Sequence, residues 1–411
     1  MTDLPVSVIV VSRGRPETLK RCLLGISQLQ YSPFEVIVVS DPDGIKAAEQ
    51  MIFAEALKLI PFDEPNISAA RNLGLENAAG EIVAYIDDDA VPEPQWLRHL
   101  VTPALQSDVA AMGGFVRGRN GISFQWKARS IDEFGESHDL DVDSRQITVL
   151  TPPKGRAIKT EGTNMAFRRD VLVQIGGFDP AFHYFLDETD VNMRLARAGH
   201  STAIVPLAEV HHGFEANKTR SAARVPRDLF DIGASWAVFQ RKHIPAADHA
   251  NQWKRLRQDQ RKRLLRHMVG GGLEPRDVRK LMKRLDQGYK QGQSRAFGTP
   301  KMAAHPAVPF TPFPSRSRKS VVVSTRPFRA QRDFRTAQKR VNNGEIVTLY
   351  NLSRSAMFHK SWFDVSGMWI QKGGIFGKSD RKMPFFRMTT RSRRLSYEQS
   401  RVTTQRGFNK E

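Results

Sequence analysis

The apolar run EIVAYI (81–86) ends on three consecutive aspartates, Asp87, Asp88 and Asp89. A β-rich run of this length suits a strand buried on both faces. Three adjoining carboxylates at its end repel one another and gain nothing structurally. Runs of the same kind recur upstream as VSVIVVS (6–12), FEVIVVS (34–40) and LKLIPF (57–62). Helical patterns lie between them. Leu19, Leu23, Leu24 and Ile26 follow Pro16 at helical spacing, a second pattern covers 44–56, and Asn66 caps a third that closes at Gly80. This alternation predicts an α/β fold, a mostly parallel sheet with helices on both faces, whose ligands bind at the carboxyl ends of the strands. Asp41 and Asp43 after the second strand and the triplet after the fourth fall there. A divalent cation would offset the repulsion. Hard oxygen ligands suit Mg²⁺ or Mn²⁺, which typically use one or two carboxylates plus substrate phosphates.

Three later patterns carry chemistry. Gly162-Thr163-Asn164, before the apolar MAFRRDVL, reads as a substrate-facing loop. Asp187, Glu188 and Asp190 open a helix with Val191, Leu195 and Ala198 on one face. Acidic residues suit a helix start for dipole reasons alone, but a carboxylate there can also serve as general base toward an acceptor hydroxyl. His211 and His212 end the apolar stretch STAIVPLAEV. Neighbours on a strand face opposite ways, so at most one enters a site. Cys22, the single cysteine, excludes an intramolecular disulfide framework and reads as a buried structural thiol.

The string NISAARNLGLENAAGEIVAYIDDDAVPEPQWL resembles the nucleotide-binding half of family 2 glycosyltransferases, which have the GT-A (Rossmann-like) fold. VSVIVVSRGRPETLKRCL, FEVIVVSD, GTNMAFRRDVL, IGGFDPAF and DETDVNMRLARAGH fit in order, over about residues 4–213. The resemblance implies a metal-dependent, inverting transfer of a sugar from a nucleotide-sugar to a hydroxyl acceptor, in cell-surface polysaccharide or glycolipid synthesis. It implies that Asp41 bonds the base, that Arg71, Asn72, Asp87, Asp88 and Asn164 contact the donor, and that Asp89 and His212 bind Mn²⁺ or Mg²⁺. The family's acid pair falls on Asp187-Glu188, with Glu188 as base and Asp187 as the fallback. The acceptor is expected to be a glycan or a lipid-linked sugar. The other readings are a nucleotidyltransferase of similar fold and a non-catalytic basic binding protein.

Charge divides the chain. Residues 1–220 hold 22 basic and 30 acidic side chains, a net of −8; residues 221–411 hold 41 and 13, a net of +28. The expected organisation is a GT-A domain (1–215), a basic helical region (216–299), a Pro-rich linker (300–316), a small β-rich region (317–390) built on Trp362, Phe363, Trp369 and Phe376, and a disordered tail (391–411). Residues 121–160 read as an irregular loop. Helices are expected over 251–267 and 275–287. The basic half has three readings: a solvated face with a packing role, attachment to an anionic membrane through residues 251–290, or capture of an acidic polymer. Nucleic acid is disfavoured, because no nucleic-acid motif accompanies the charge. The start does not read as a signal peptide, and no apolar run approaches the ~20 residues of a membrane span. The expected location is cytoplasmic, with docking on the inner face of the membrane under the second reading.

Overall fold

The computed structural model describes residues 3–213, 220–221 and 223–408. The chain begins β1 (Val6–Ser12), α1 (Pro16–Ile26), β2 (Phe34–Ser40), α2 (Pro42–Glu49), β3 (Leu57–Pro61), α3 (Ile67–Glu76), β4 (Ile82–Asp87), β5 (Ala90–Pro92), α4 (Trp96–Gln106) and β6 (Ala111–Arg117). Then come β7 (Phe124–Trp126), β8 (Arg129–Asp132), β9 (Ser137–Asp139), β10 (Thr148–Leu150), β11 (Arg156–Lys159), β12 (Met165–Arg168), α5 (Arg169–Gln174), α6 (Asp187–Arg197) and β13 (Thr202–His212).

The main sheet runs β10-β13-β6-β12-β4-β1-β2-β3, with β5 on β13 and β7 on β6. The first four strands are parallel, as their alternation with helices predicts. The residues of β1, β2 and β4 are buried on both faces because helices cover both sides of the sheet, while the edge strand β3 is only partly covered. Strand β12 runs antiparallel between β4 and β6. Register sets the edge that matters: Val11 lies beside Asp87, and Ser12 beside Ser40. The ends of β1, β2 and β4 therefore open on one crevice.

Residues 121–160 are not irregular. They form five short strands, three of them in a separate sheet ordered β11-β8-β9. Runs of three or four residues carry too little periodicity to read from sequence. Ile131 and Ala157 of this sheet pack with Phe182, Leu186, Trp236 and Phe239.

Among the described residues the basic region holds three α-helices, α7 (Phe230–His243), α8 (His249–Val269) and α9 (Pro275–Ser294). Their apolar sides are spent on one another: Leu229, Leu264, Val278, Leu281, Met282 and Leu285 form one cluster, and Trp253 stacks on Tyr289 at 3.7 Å. Helices α7 and α9 approach so closely at Gly288 that a Cβ there would meet the Phe230 carbonyl oxygen at 1.8 Å. Lys242 of α7 is 2.6 Å from Asp179 and 2.8 Å from Asp190, and His243 is 2.7 Å from Asp190. Half-buried Lys242 and buried His243 thus fasten this region to α6. Residues 300–316 form no helix or strand. They run along the first domain, where the Phe313 ring lies against Phe34 and Phe53.

The chain ends β14 (Ser320–Thr325), α10 (Ala330–Asn342), β15 (Ile346–Ser353), β16 (Lys360–Phe363), β17 (Trp369–Gly374), α11 (Arg391–Ser400) and α12 (Thr403–Arg406). Its sheet is ordered β14-β15-β17-β16; the first three strands are parallel and β16 is an antiparallel edge. Phe363 and Trp369 are buried, Phe376 is half-buried and Trp362 is exposed. The tail is not disordered over 391–408; residues 409–411 lie outside the described residues. Buried Glu93 is the physical reason. Arg406 pairs with it through two contacts of 2.8 and 2.9 Å, donates to Thr348 at 3.1 Å and lies 4.3 Å over the Trp369 ring. Two buried opposite charges hold each other because either alone would be costly.

Candidate functional site

The aspartate turn separates its three side chains. Asp88 points inward and does not face the crevice, contrary to its expected donor contact. Its carboxylate accepts from Ser12 Oγ at 2.6 Å and Arg15 Nε at 3.1 Å, tying β4 to β1. Burial pushes its pKa upward against the pull of Arg15. Asp87 and Asp89 remain with His212. One ligand atom from each lies within 4.8 Å of the others. Asp89 Oδ1 is 3.1 Å from His212 Nε2. Strand pairing creates this meeting, because β13 lies antiparallel to β5 and sets His212 beside Ala90.

The donor set fits a small divalent cation. Gln125 Oε1 lies 3.1 Å from His212 Nδ1. An amide oxygen only accepts, so a hydrogen bond there takes its proton from Nδ1 and leaves Nε2 as the nitrogen on the Asp89 side. Asp89 Oδ2 has a protein cation, Arg15 Nη1, at 3.3 Å, while Asp89 Oδ1 and His212 Nε2 face each other. Their 3.1 Å spacing also suits two neighbouring ligands of an octahedral ion with bonds of about 2.1 Å. His211 faces the other way, as strand alternation predicts. Its Nε2 is 2.8 Å from Glu93 and its ring is 4.7 Å from Trp369. Burial lowers its pKa.

Arg71 is wholly buried and is not a surface charge. It forms an ion pair with Asp187, stands 3.7 Å from Asp87, and lies over Phe178 at 5.3 Å. One guanidinium therefore bridges the aspartate turn and the acid pair. Gly162 provides the space: a Cβ there would come within 2.6 Å of Arg71 Nη2. Thr163, from the same loop, donates to Asp87 at 2.5 Å.

Two asparagines expected at the donor are committed elsewhere. Asn72 exchanges hydrogen bonds with the Phe178 backbone at 2.7 and 2.8 Å. Asn164 accepts from Trp96 Nε1 and donates to the Phe115 and Ala208 carbonyls. Both fasten core segments; Asn164 spends both amide N–H donors on carbonyls and Asn72 one of its two. Asp41 caps α2, accepting from Gly44 and Ser40 on one oxygen and from the Gly14 amide on the other. That uses three of about four acceptor positions.

In the acid pair, Asp187 is buried and Glu188 is half-buried. Burial raises Asp187, Arg71 opposes, and the Glu188 charge and hydrogen bond raise it further. The preceding residues Phe185 and Leu186 have φ of 73° and 66°. Each such non-glycine residue costs about 1–3 kcal/mol and persists only where the surroundings hold it. Phe185 rests edge-on against Trp236 at 6.1 Å, and Leu186 is buried among Phe182, Met193 and Phe239.

Sequence reasoning missed Arg15, Gln125 and Glu161. A polar side chain inside KTEGTN was the one available signal for Glu161. It is buried, with Lys159 at 3.2 Å. Burial lifts its pKa to about 7; Lys159 pulls against this and the charge of Glu188 adds to it. Cys22 is buried as expected, and burial pushes its thiol well up. Beside Asp89 and His212 lies a cavity of about 190 Å³, also lined by His211 and by Ser361, Trp362 and Phe363 of the C-terminal sheet.

The family model described as Glycosyltransferase like family 2 matches residues 4–229. The glucosyl-dolichyl phosphate glucuronosyltransferase of Haloferax volcanii is 30% identical over 185 residues, 43% of this chain and 56% of that protein. The glycosyltransferase AglE of the same organism is 36% identical over 240 residues, 56% of this chain and 71% of that protein. The chain thus spans little more than half the length of the first of these relatives. Among solved structures, the mannosyltransferase PcManGT from Pyrobaculum calidifontis, in complex with GDP-Man and Mn²⁺, aligns at 17% identity with a TM-score of 0.40. That match covers 72% of this chain and 88% of that one.

Between the ordinary Glu pKa of 4.5 and about 7, folded Glu161 keeps a proton that the unfolded chain has released. Stability therefore falls as pH rises through that window, by at most about 1.4 kcal/mol per pH unit. Glu161→Gln should gain on the wild type by about 1–3 kcal/mol between pH 5 and 8, read from urea midpoints. A difference constant across that range would contradict the protonation of Glu161.

Proposed function

This chain belongs to the glycosyltransferase-like family 2, and from that premise we propose a metal-dependent, inverting transfer of a sugar from a nucleotide-sugar to a hydroxyl acceptor. The observation that carries the reading is the joint placement of Asp87, Asp89 and His212 on one side of Arg71 and of Asp187-Glu188 on the other. Asp87, Asp89 and His212 would hold Mn²⁺ or Mg²⁺, which when bound neutralises the charge of the leaving diphosphate. Asp41 keeps one acceptor position for a base N–H. Arg71 orients Asp187, and Asp187 in turn hydrogen-bonds Glu188. Glu188, the more exposed of the two, takes the proton of the acceptor hydroxyl. The hydroxyl oxygen forms the new bond to the anomeric carbon as the bond to the diphosphate oxygen breaks. The nucleoside diphosphate leaves with that electron pair, and the anomeric configuration inverts.

The relative named for glucosyl-dolichyl phosphate supports a lipid-linked sugar as acceptor, which suits a place in cell-surface polysaccharide or glycolipid synthesis. Among the described residues no helix is long and apolar enough to cross a membrane. Helices α8 and α9 carry exposed Arg255, Arg261, Lys262, Arg276, Arg279 and Lys280, while their apolar sides are packed inward. Attachment to the cytoplasmic face of a membrane would therefore be electrostatic, without insertion of an apolar helix face.

Glu188→Gln should retain donor binding while turnover falls by about 10² or more, the usual size of a general-base contribution. Unchanged turnover would remove Glu188 from that role. The full chain should pellet with anionic vesicles and be released by raising salt from about 0.1 to 1 M. Equal pelleting with neutral vesicles would sink the electrostatic account.

A further inference from the structure

The three parallel strands of the C-terminal sheet end along one edge, β14 at Thr325, β15 at Ser353 and β17 at Gly374. In sheets of parallel strands, the crevice outside the carboxyl ends is where ligands bind. Here that crevice is a cavity of about 750 Å³, within the range of small-molecule sites. Its lining has two parts. Arg326, Arg354 and Arg391 supply positive charge, and Phe328, Leu352 and Phe376 supply apolar surface.

The arginines are not neutralised by the protein. No carboxylate lines the cavity, and among the described residues none of the three is in an ion pair. Arg391 is held in place by the Leu352 carbonyl at 2.8 Å, Ser324 Oγ at 2.9 Å and the Thr325 carbonyl. Its pKa is lowered first by burial and then by the charge of Arg326. Arg391 is also the first residue of α11, a helix of ten residues capped by Thr390, so the positive end of the helix adds to the same field. Like charges converging without a counter-charge are costly, and a bound anion removes that cost. Planar guanidinium groups suit phosphate oxygens in particular. The apolar half continues outward through Phe386, whose ring is 5.3 Å from Phe376, and Phe328 is exposed.

We propose that this groove binds an organic phosphate, its phosphoryl group on Arg326, Arg354 and Arg391 and its organic part on Phe328, Leu352 and Phe376. A nucleotide base and an alkyl chain both have that chemistry. The site uses none of Asp87, Asp89, His212 or Glu188, so it stands or falls separately from the transferase reading. The test is calorimetric titration of the full chain with octyl phosphate below its micelle concentration, adenosine monophosphate and inorganic phosphate. The comparison is Arg326→Ala/Arg354→Ala, whose replaced side chains are exposed; a thermal melt verifies its fold. At least one organic phosphate should bind about tenfold or more tightly than inorganic phosphate, and the double variant should lose about tenfold or more of that affinity. Preference for octyl phosphate identifies a lipid-like ligand, and preference for the mononucleotide identifies a nucleotide. Unchanged affinity in the folded double variant, or organic phosphates no tighter than inorganic phosphate, overturns the proposal.

Discussion

The buried guanidinium of Arg71 is the interaction on which the cleft depends. It stands between Asp87 at the end of β4 and Asp187 at the start of α6, two carboxylates a hundred residues apart. Without it Asp187 would be a buried charge with no cation, a situation that costs about 3–5 kcal/mol where it has been created. The surroundings are shaped to it: Gly162 leaves room, Phe178 and Tyr85 form its walls, and Asn72 clamps the Phe178 backbone. The strained turn at Phe185 and Leu186 can be tolerated because Arg71 on one side and Lys242 and His243 on the other hold α6 in place.

The parts of this arrangement legible in the sequence share one property: their meaning is local. The β-rich runs specify strands, strand–helix alternation specifies a parallel sheet, and a parallel sheet puts Asp87 to Asp89 on its ligand edge. The opposed directions of His211 and His212 follow from strand geometry alone. What needed the structure is non-local. The partners of Asn72, Asp88 and Asn164 include Phe178, Ser12, Phe115 and Ala208. No spacing rule distinguishes an amide that bonds a ligand from one that bonds a distant carbonyl. The tail was misread for the same reason: a run rich in Arg and Ser looks unstructured until Glu93 is placed opposite Arg406.

The charge division takes a more definite form in the structure. In the first half, Asp87 and Asp89 meet His212, and Asp187 lies against Glu188. In the second half, part of the positive charge is structural, as in Arg406 against Glu93 and Arg394 against Glu398. The C-terminal sheet is also no detached appendage. Trp369 packs on His211, and Ser361 to Phe363 wall the cavity beside Asp89 and His212. The reach of the cleft is therefore set by residues from both ends of the chain.

The central claim is that Asp87, Asp89 and His212 form a cation site that serves a diphosphate. Pulsed electron paramagnetic resonance of Mn²⁺ added to the full chain with a nucleoside diphosphate measures this directly. The account predicts one bound ion whose spectrum carries both phosphorus coupling and the coupling of a single imidazole nitrogen, the latter lost in His212→Ala. A bound ion with no imidazole coupling, or one unaltered by that substitution, would contradict it.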